Sequence, residues 1–218
     1  MAAVETTSTI GTLADLVERL GGIPLDRIRY QPPPGTATVE DVVRVEEQEN
    51  RLCELVDGVL VEKAMGFRES LLAMAIGHCL RDFVMPANLG LVAGSDGMMQ
   101  LFEGLVRIPD VSFVSWSNVP GGKVPNHPVP LLAPDLAVEV LSKTNTPGEM
   151  KRKRKEYFDA GARLVWLVDL ERRKVSVFTS PEQSREFTEA ETLDGGEVLP
   201  GFNLSLRELF AELDRHAG

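Results

Sequence analysis

The pattern of apolar and polar positions along the chain predicts short strands separated by a few longer helices. Residues 53–63, CELVDGVLVEK, form two apolar runs joined by Asp57 and Gly58, a dipeptide suited to a type I′ turn, and they predict a β-hairpin. From about Arg68 to Met85, apolar residues recur at three- and four-residue spacing, which predicts a long helix packed on a sheet. The runs MMQLF, LVRIP and DVSFVSW predict further short strands.

The second half of the chain repeats this alternation of strands and helices. Residues 135–142 predict a buried strand, residues 148–160 a helix, and the runs RLVWLVDL and KVSVFTS a second hairpin. A strand near REFTEA, a turn at DGGEVLPGF and a final amphipathic helix, LSLRELFAEL, complete the pattern. We therefore expect an α/β fold in which a central mixed β-sheet is flanked by α-helices.

The N-terminal part of the chain has a different character. GTLADLVERL predicts a short helix with Thr12 and Asp15 in capping-box spacing, and the three prolines of RYQPPPGTA separate it from a second helix, VEDVVRVEEQEN. We expect residues 1–37 to form a helical N-terminal extension that does not hold the chemistry, and residues 38–218 to form one domain.

Composition and charge narrow the classes of function. The formal net charge of −10 argues against a protein that coats nucleic acid through a global positive field, although a groove can be basic while the rest of the surface is acidic. No leader-like or membrane-spanning apolar segment is present in the sequence, so a cytoplasmic protein without a membrane partner is expected. The two cysteines, Cys53 and Cys79, have neither disulfide-framework nor metal-site spacing.

Two carboxylates interrupt otherwise apolar strands and are the first candidates for chemistry. Asp110 lies in VRIPDVSFVSW and Glu139 in APDLAVEVLS. If these strands are neighbours, two ionised carboxylates about 4 Å apart repel by roughly 4 kcal/mol at an effective dielectric constant near 20. A shared proton or a divalent cation would relieve that repulsion. Mg²⁺ suits so sparse a site, because one or two carboxylates with waters and a substrate phosphate commonly hold it.

A lysine beside two such carboxylates would give a nuclease-like arrangement, in which ammonium and metal stabilise developing charge. The position two residues after Glu139 is Leu141, and Lys143 lies about 13 Å further along an extended strand at roughly 3.3 Å per residue. The following helix contains the run KRKRK at 151–155, and helical periodicity leaves Lys153 and Arg154 as the residues facing the sheet. Periodicity alone does not choose between them.

Four segments in order, ELVDGVLVE, RIPDVSFVS, APDLAVEVLS and EMKRKRKEYFDAGARLVWLVDLERRKVSVF, closely resemble the Uma-two family of restriction endonuclease-like proteins. That family is assigned to the PD-(D/E)XK nuclease superfamily, and the similarity extends from about Thr38 to the C-terminus. The resemblance implies a restriction-endonuclease-like core. It also implies a Mg²⁺-dependent endonuclease for DNA, with Mn²⁺ as a substitute ion, metal-bound water as the nucleophile, and a chain that could form a homodimer.

Matched position by position, the resemblance makes Asp110 and Glu139 the metal ligands and Lys153 the lysine that has migrated from the strand to the next helix. Glu54, in the ELVDG segment, is a further catalytic candidate. Lys143 stands where many relatives have proline and is a secondary candidate. Relatives often have histidine near the start of the long helix, where this chain reads GFRESLLAM, so Arg68 or Glu69 is expected to line the site instead.

Two other classes of function remain open at this point. A non-catalytic, dimeric binding or regulatory protein could retain the sheet, but it would be expected to lack one of the ligands, and all matched positions are filled. A Mg²⁺-dependent hydrolase of small phosphate compounds would suit the acidic chain, and it predicts a closed pocket in place of a groove.

Overall fold

The computed structural model describes residues 11–216 and has a mixed α/β fold. Its helices are α1 (Leu13–Arg19), α2 (Val39–Glu49), α3 (Phe67–Val84), α4 (Pro147–Asp159) and α5 (Leu206–Ala211). Its strands are β1 (Cys53–Val56), β2 (Val59–Glu62), β3 (Gly90–Ala93), β4 (Met99–Phe102), β5 (Leu105–Arg107), β6 (Val111–Ser115), β7 (Leu136–Val140), β8 (Leu164–Asp169), β9 (Lys174–Phe178), β10 (Ser184–Thr188), β11 (Thr192–Gly195) and β12 (Leu199–Ser205).

The largest sheet has six strands in the order β10-β9-β8-β7-β6-β3. Strands β7 and β8 are parallel and are joined through α4, whereas the other neighbours in this sheet are antiparallel. A parallel pair needs a crossover connection, and α4 supplies it. The predicted central mixed sheet flanked by helices is therefore confirmed.

Strand β7 separates two layers of the core. Leu136, Val138 and Val140 point to one face, where they pack in a cluster that also contains residues of α3 and α5. Ala137 points to the opposite face and packs in a cluster with Tyr157 of α4. Side chains alternate across a strand, so Glu139 shares the face of Ala137 and is directed towards α4.

A second sheet of four strands, in the order β2-β1-β5-β4, packs beside the large one. Its first hairpin turns at Asp57 and Gly58, whose positive φ angles of 51° and 71° are those that a type I′ turn requires, as the sequence predicted. Strands β1 and β5 are neighbours in this sheet, which brings Glu54 of β1 close to the segment that leads into β6. The second sheet thereby supplies one wall of the candidate site.

The structure corrects three expectations about local elements. Strand β3 was not predicted, and DGGEVLPGF is more than a turn, because it contributes the end of β11 and the start of β12 in a separate two-stranded sheet. The last helix begins at Leu206, later than expected, since the preceding residues belong to β12. Short or glycine-containing strands carry weak local patterns, and long-range pairing decides their conformation.

Among residues 11–216, no helix combines the length and the apolar character needed to cross a bilayer.

Candidate active site

Asp110 and Glu139 lie opposite each other on neighbouring strands. Asp110 immediately precedes β6, Glu139 is in β7, and the antiparallel register pairs Val111 with Val138. The backbone N–H of Asp110 donates to the carbonyl of Val138, and the N–H of Val140 donates to Asp110 Oδ2 at 2.7 Å. Both carboxylates are at least nine-tenths buried. The sheet therefore holds two acidic side chains side by side in its interior.

Helix α4 places Lys153 against Glu139 and Glu54. The helix begins at Pro147, and Thr146 caps it by accepting a hydrogen bond from the N–H of Glu149. The Lys153 side chain is 4% exposed, and its ammonium lies 3.2 Å from each oxygen of Glu139 and 2.9 Å from Glu54 Oε1. One turn later, the hydroxyl of Tyr157 donates to Glu139 Oε1 at 2.6 Å. Lysine and tyrosine together fix the orientation of Glu139.

The other basic residues of the KRKRK run are directed elsewhere. Arg154, the alternative that helical periodicity left open, places its guanidinium 4.1 Å from the centre of the Phe178 ring. Arg152 pairs with Glu156 at 2.7 Å, and Lys151 and Lys155 are exposed. Within this run, Lys153 is thus the residue that reaches Glu139.

Glu54 and Arg107 extend the charged network behind Lys153. Arg107 Nη1 donates to Glu54 Oε2 at 2.7 Å, and the Arg107 Nε donates to Glu156 Oε2 at 2.7 Å. Glu54 Oε1 also accepts a hydrogen bond from the N–H of Ile108 at 3.2 Å. Both Glu54 and Arg107 are 1% exposed. No sequence pattern predicts a role for Arg107, because one arginine before a proline-containing segment has no distinctive spacing.

The two glutamates that share Lys153 have pKa values shifted in opposite directions. Burial alone would raise the pKa of Glu54, but the charges of Lys153 and Arg107 outweigh burial and lower it to about 2. Burial raises the pKa of Glu139, Lys153 opposes this rise, and the negative charges of Asp110 and Glu54 add to it. Two cations contact Glu54, whereas Glu139 has one cation and a neighbouring acid. We take this difference in partners as the reason for the opposite directions.

A second lysine, Lys63, forms an ion pair with Asp110, and no sequence pattern predicted this contact. Lys63 follows β2 by one residue, and its ammonium is 2.8 Å from Asp110 Oδ1. The ammonium also donates to the carbonyl oxygens of Ile108, at 2.6 Å, and Ser95, at 3.1 Å. A single lysine after an apolar strand is a common pattern, so only the pairing of distant strands could reveal this contact.

A cleft of about 610 Å³ reaches Asp110 from the surface. Its walls are α3, through residues such as Ala73, Met74 and Gly77, and the loop of residues 94–97 between β3 and β4. Asp110 and Val111 lie among its lining residues. The candidate site is therefore deep in the fold but open along one side.

The secondary candidates Lys143 and Glu69 lie apart from the four main residues. Both line a second cleft, of about 530 Å³, between the start of α4 and the turn after β8. Within residues 11–216, neither forms a hydrogen bond or ion pair with Glu54, Asp110, Glu139 or Lys153. The structure thus brings together the four principal candidates and leaves the two secondary ones at a separate surface.

Among residues 11–37, Gly21 and Arg27 contact the start of α4, and none forms a hydrogen bond or ion pair with Glu54, Asp110, Glu139 or Lys153. Arg27 forms two hydrogen bonds with Glu149, at 2.8 and 3.0 Å, and both side chains are buried. Gly21 packs so closely on Gly148 that a Cβ atom on either would come within 2.5 Å of the other residue's backbone or its neighbour's. These contacts hold the first turn of the helix that carries Lys153.

The donor groups fit a hard divalent cation. Asp110 and Glu139 offer carboxylate oxygens on adjacent strands, and magnesium is typically held by one or two carboxylates together with water and phosphate oxygens. In the described part of the chain, no group of three or more His, Cys, Asp or Glu side chains is arranged to hold a metal. An ion bound here would therefore depend on two protein carboxylates and on oxygens from outside the protein.

Comparison with known proteins identifies the fold and the family. None of the curated proteins matches this chain. A solved structure titled "putative nuclease belonging to DUF820", from Anabaena variabilis, superposes with a TM-score of 0.70 over 81% of this chain and 98% of its own, at 21% identity. The family model of Uma2, described as "Putative restriction endonuclease", matches residues 39–207, which is well over half of the chain. The chain therefore belongs to the Uma2 family.

Proposed function

We propose that this protein is a metal-dependent endonuclease that hydrolyses phosphodiester bonds in DNA. The observation that supports this most strongly is the position of the Lys153 ammonium, 2.9–3.2 Å from Glu54 and from Glu139, whose strand pairs with the strand that follows Asp110. A lysine next to two carboxylates can stabilise negative charge on a reacting phosphate. Membership of the Uma2 family points to the same class of reaction.

In this proposal Asp110 and Glu139 hold the metal, with Mg²⁺ as the natural ion and Mn²⁺ as a substitute. When bound, the ion would act as a Lewis acid on the phosphate and promote ionisation of the attacking water. Burial and the charge of Asp110 raise the pKa of Glu139, which makes an added positive charge at this point favourable.

The protein's own side chains orient the Glu139 carboxylate and provide positive charge beside the reacting phosphate. Tyr157 and Lys153 fix the Glu139 carboxylate from two directions, so its oxygens are set before any ligand arrives. Burial lowers the pKa of Lys153, but the charges of Glu139 and Glu54 outweigh burial and raise it, which favours the charged ammonium. Glu54 assists indirectly, because its Oε1 lies 2.9 Å from the Lys153 ammonium and holds that group in place.

Substrate would enter through the cleft that reaches Asp110. Lys143, Lys151 and Arg172 line the second cleft and provide positive charge for backbone phosphates in an otherwise acidic protein. In this arrangement Lys143 contacts substrate at a distance from the reacting bond and has no part in the chemistry.

Incubation with DNA tests the proposal. Purified protein is incubated with supercoiled plasmid and with single-stranded DNA, with and without Mg²⁺ or Mn²⁺, and Glu139→Gln is assayed in parallel. Glu197→Gln, at an exposed position, is the matched control. We expect metal-dependent cleavage by the wild type and by the control, and a loss of about 10³-fold or more for Glu139→Gln, since a principal charged group of the site is removed. Equal cleavage by all three proteins, or none with any metal, would refute the nuclease.

A Mg²⁺-dependent hydrolase of small phosphate compounds is the second candidate. The burial of all four principal residues favours it, because a narrow site admits a small ester more readily than a stiff duplex. Inclusion of p-nitrophenyl phosphate and bis(p-nitrophenyl) phosphate in the same assay separates the two functions. Hydrolysis of a small ester by the wild type but not by Glu139→Gln, without cleavage of either DNA, would favour this candidate.

A further inference from the structure

Lys63 occupies a position that neither the family's motif nor the proposed mechanism uses. Its side chain is 7% exposed, and its ammonium contacts three oxygens: Asp110 Oδ1 and the carbonyl oxygens of Ile108 and Ser95. An ammonium group has three N–H donors, so each can be assigned to one of these oxygens. A positive charge with an all-oxygen shell thus lies on one of the two carboxylates proposed to hold the metal.

The two oxygens of Asp110 are bound in different ways. Oδ2 accepts the N–H of Val140, a group fixed by the sheet, while Oδ1 accepts only from the Lys63 side chain among the contacts of the described residues. A divalent cation that binds Asp110 would therefore be expected to take Oδ1. Lys63 and the cation cannot both remain in contact with that oxygen without strong repulsion between their charges.

The cleft beside Asp110 provides space for the Lys63 ammonium when it leaves the carboxylate. Ser95, one of its acceptors, belongs to the loop that forms a wall of the cleft, and Asp110 itself lines that cleft. Lysine has a flexible four-carbon stem, so its ammonium can leave Asp110 and turn into the cleft while its backbone stays at the end of β2. Lys153 differs here, because its contacts are with the buried side chains of Glu54 and Glu139.

We propose that Lys63 is an exchangeable counter-ion of Asp110: its ammonium neutralises the carboxylate in the metal-free protein, and a divalent cation displaces it into the cleft. The inference rests on the proposed function, since the displaced lysine makes way for the ion that function requires. In the displaced position, Lys63 would face a phosphate group of the substrate. Metal binding and exposure of this lysine are therefore coupled.

Calorimetric titration with Mn²⁺ tests the competition without any measurement of catalysis. The proteins are the wild type, Lys63→Met, Lys63→Arg and the matched control Lys123→Met, whose lysine is exposed and has no part in the proposed function. If Lys63 holds Asp110 for most of the time, its removal tightens Mn²⁺ binding by about tenfold or more, because apparent affinity falls with the fraction of competent sites. Lys63→Arg and Lys123→Met should bind like the wild type.

Amine labelling of the wild-type protein provides a second readout that needs no variant. The protein is treated briefly with an amine-reactive acetylating reagent, with and without Mn²⁺, and modification of each lysine is quantified by mass spectrometry. Lys63 should react slowly without metal and severalfold faster with it, whereas the exposed Lys123 should react equally in both samples. This measurement remains decisive if Lys63→Met does not fold.

The possible failures can be distinguished. If the wild type binds Mn²⁺ while Lys63→Met binds it no more tightly, or if Mn²⁺ leaves the labelling of Lys63 unchanged, the exchange is refuted and the proposed nuclease is not. If no variant binds Mn²⁺, even with the competing ammonium removed, both the exchange and the metal-dependent function are refuted.

Discussion

The two ends of the candidate site are held in different ways. At the inner end, Lys153 contacts two buried glutamates, and Tyr157 and Arg107 bind the same glutamates from other directions. At the cleft end, Lys63 binds Asp110 and two backbone carbonyls, one of them in a surface loop. Similar burial therefore accompanies different surroundings, because the inner charges contact each other while the charge at the cleft lies beside a path to solvent.

Substitution of Lys153 should have the largest effect on stability. In Lys153→Met, Glu54 and Glu139 lose their shared cation inside the protein, and breakage of a buried ion pair costs about 3–5 kcal/mol. Urea unfolding of the variant and the wild type at pH 7 measures this difference. Lys155→Met on the outer face of α4 is the control and should change the free energy of unfolding by less than about 1 kcal/mol. Equal losses for the two lysines would contradict the fixed inner network.

Glu54→Gln should show a loss of stability that depends on pH. The pKa of Glu54 is about 2 in the folded protein and 4.5 ordinarily, so the unfolded chain binds this proton more tightly. The stabilisation is therefore fully present above about pH 4.5 and is lost as the pH falls towards 2.

At about 1.4 kcal/mol per pKa unit, this stabilisation is about 3 kcal/mol at pH 7. Urea unfolding of Glu54→Gln and the wild type at pH 7 and pH 3 should show a gap in stability that narrows on acidification. A gap of constant size would mean that packing, and not the ionised carboxylate, accounts for the loss.

Arg27→Met probes the support of the inner end from outside the site. Glu149 would keep its hydrogen bond from Asn145 but lose its buried guanidinium partner, at an expected cost of about 2 kcal/mol in the free energy of unfolding. The looser helix should also make Lys153 more reactive towards an amine-labelling reagent. Arg29→Met, in the same segment, removes ion pairs to more exposed glutamates and serves as the control. Unchanged labelling of Lys153 would limit Arg27 to a general effect on stability.

Lys63→Met should be the mildest of these changes in the absence of metal. Water can reach Asp110 from the cleft and partly replace the ammonium, so a loss of about 1–2 kcal/mol is expected. Addition of Mn²⁺ at about 100 times its dissociation constant should raise the free energy of unfolding of the variant by about 2.7 kcal/mol. Thermal unfolding with and without Mn²⁺ measures both effects. A loss as large as that of Lys153→Met, without recovery on Mn²⁺ addition, would remove the contrast between the two ends of the site.

Sequence patterns were sufficient for the parts of the fold that depend on local spacing. The spacing of apolar residues that lie close together in the chain predicts helix α3 and the apolar strands around Asp110 and Glu139. Helical periodicity reduced the five residues of KRKRK to Lys153 and Arg154, and the family resemblance selected Lys153. The assignment of roles to Asp110, Glu139, Lys153 and Glu54 stays a prediction.

Contacts between distant segments could not be found in this way. Lys63 meets Asp110 only because β2, β1 and β5 are neighbours, and Arg107 meets Glu156 only because α4 lies over that sheet. The pairing of β11 with β12 likewise depends on tertiary packing, since its glycine-containing segment resembles a turn. The local sequence around each of these residues is ordinary, so only the three-dimensional structure reveals the contact.

The close contact between Gly21 and Gly148 has a consequence for where a folding unit begins. The family match starts at residue 39, but the backbone of α4 is shaped to receive a glycine from a segment that lies before that boundary. A protein shortened to residues 39–207 would expose the backbone of α4 around Gly148 to water and would leave Glu149 without its ion pair to Arg27. We therefore expect the cooperatively folding unit to begin before residue 39, where the family match starts.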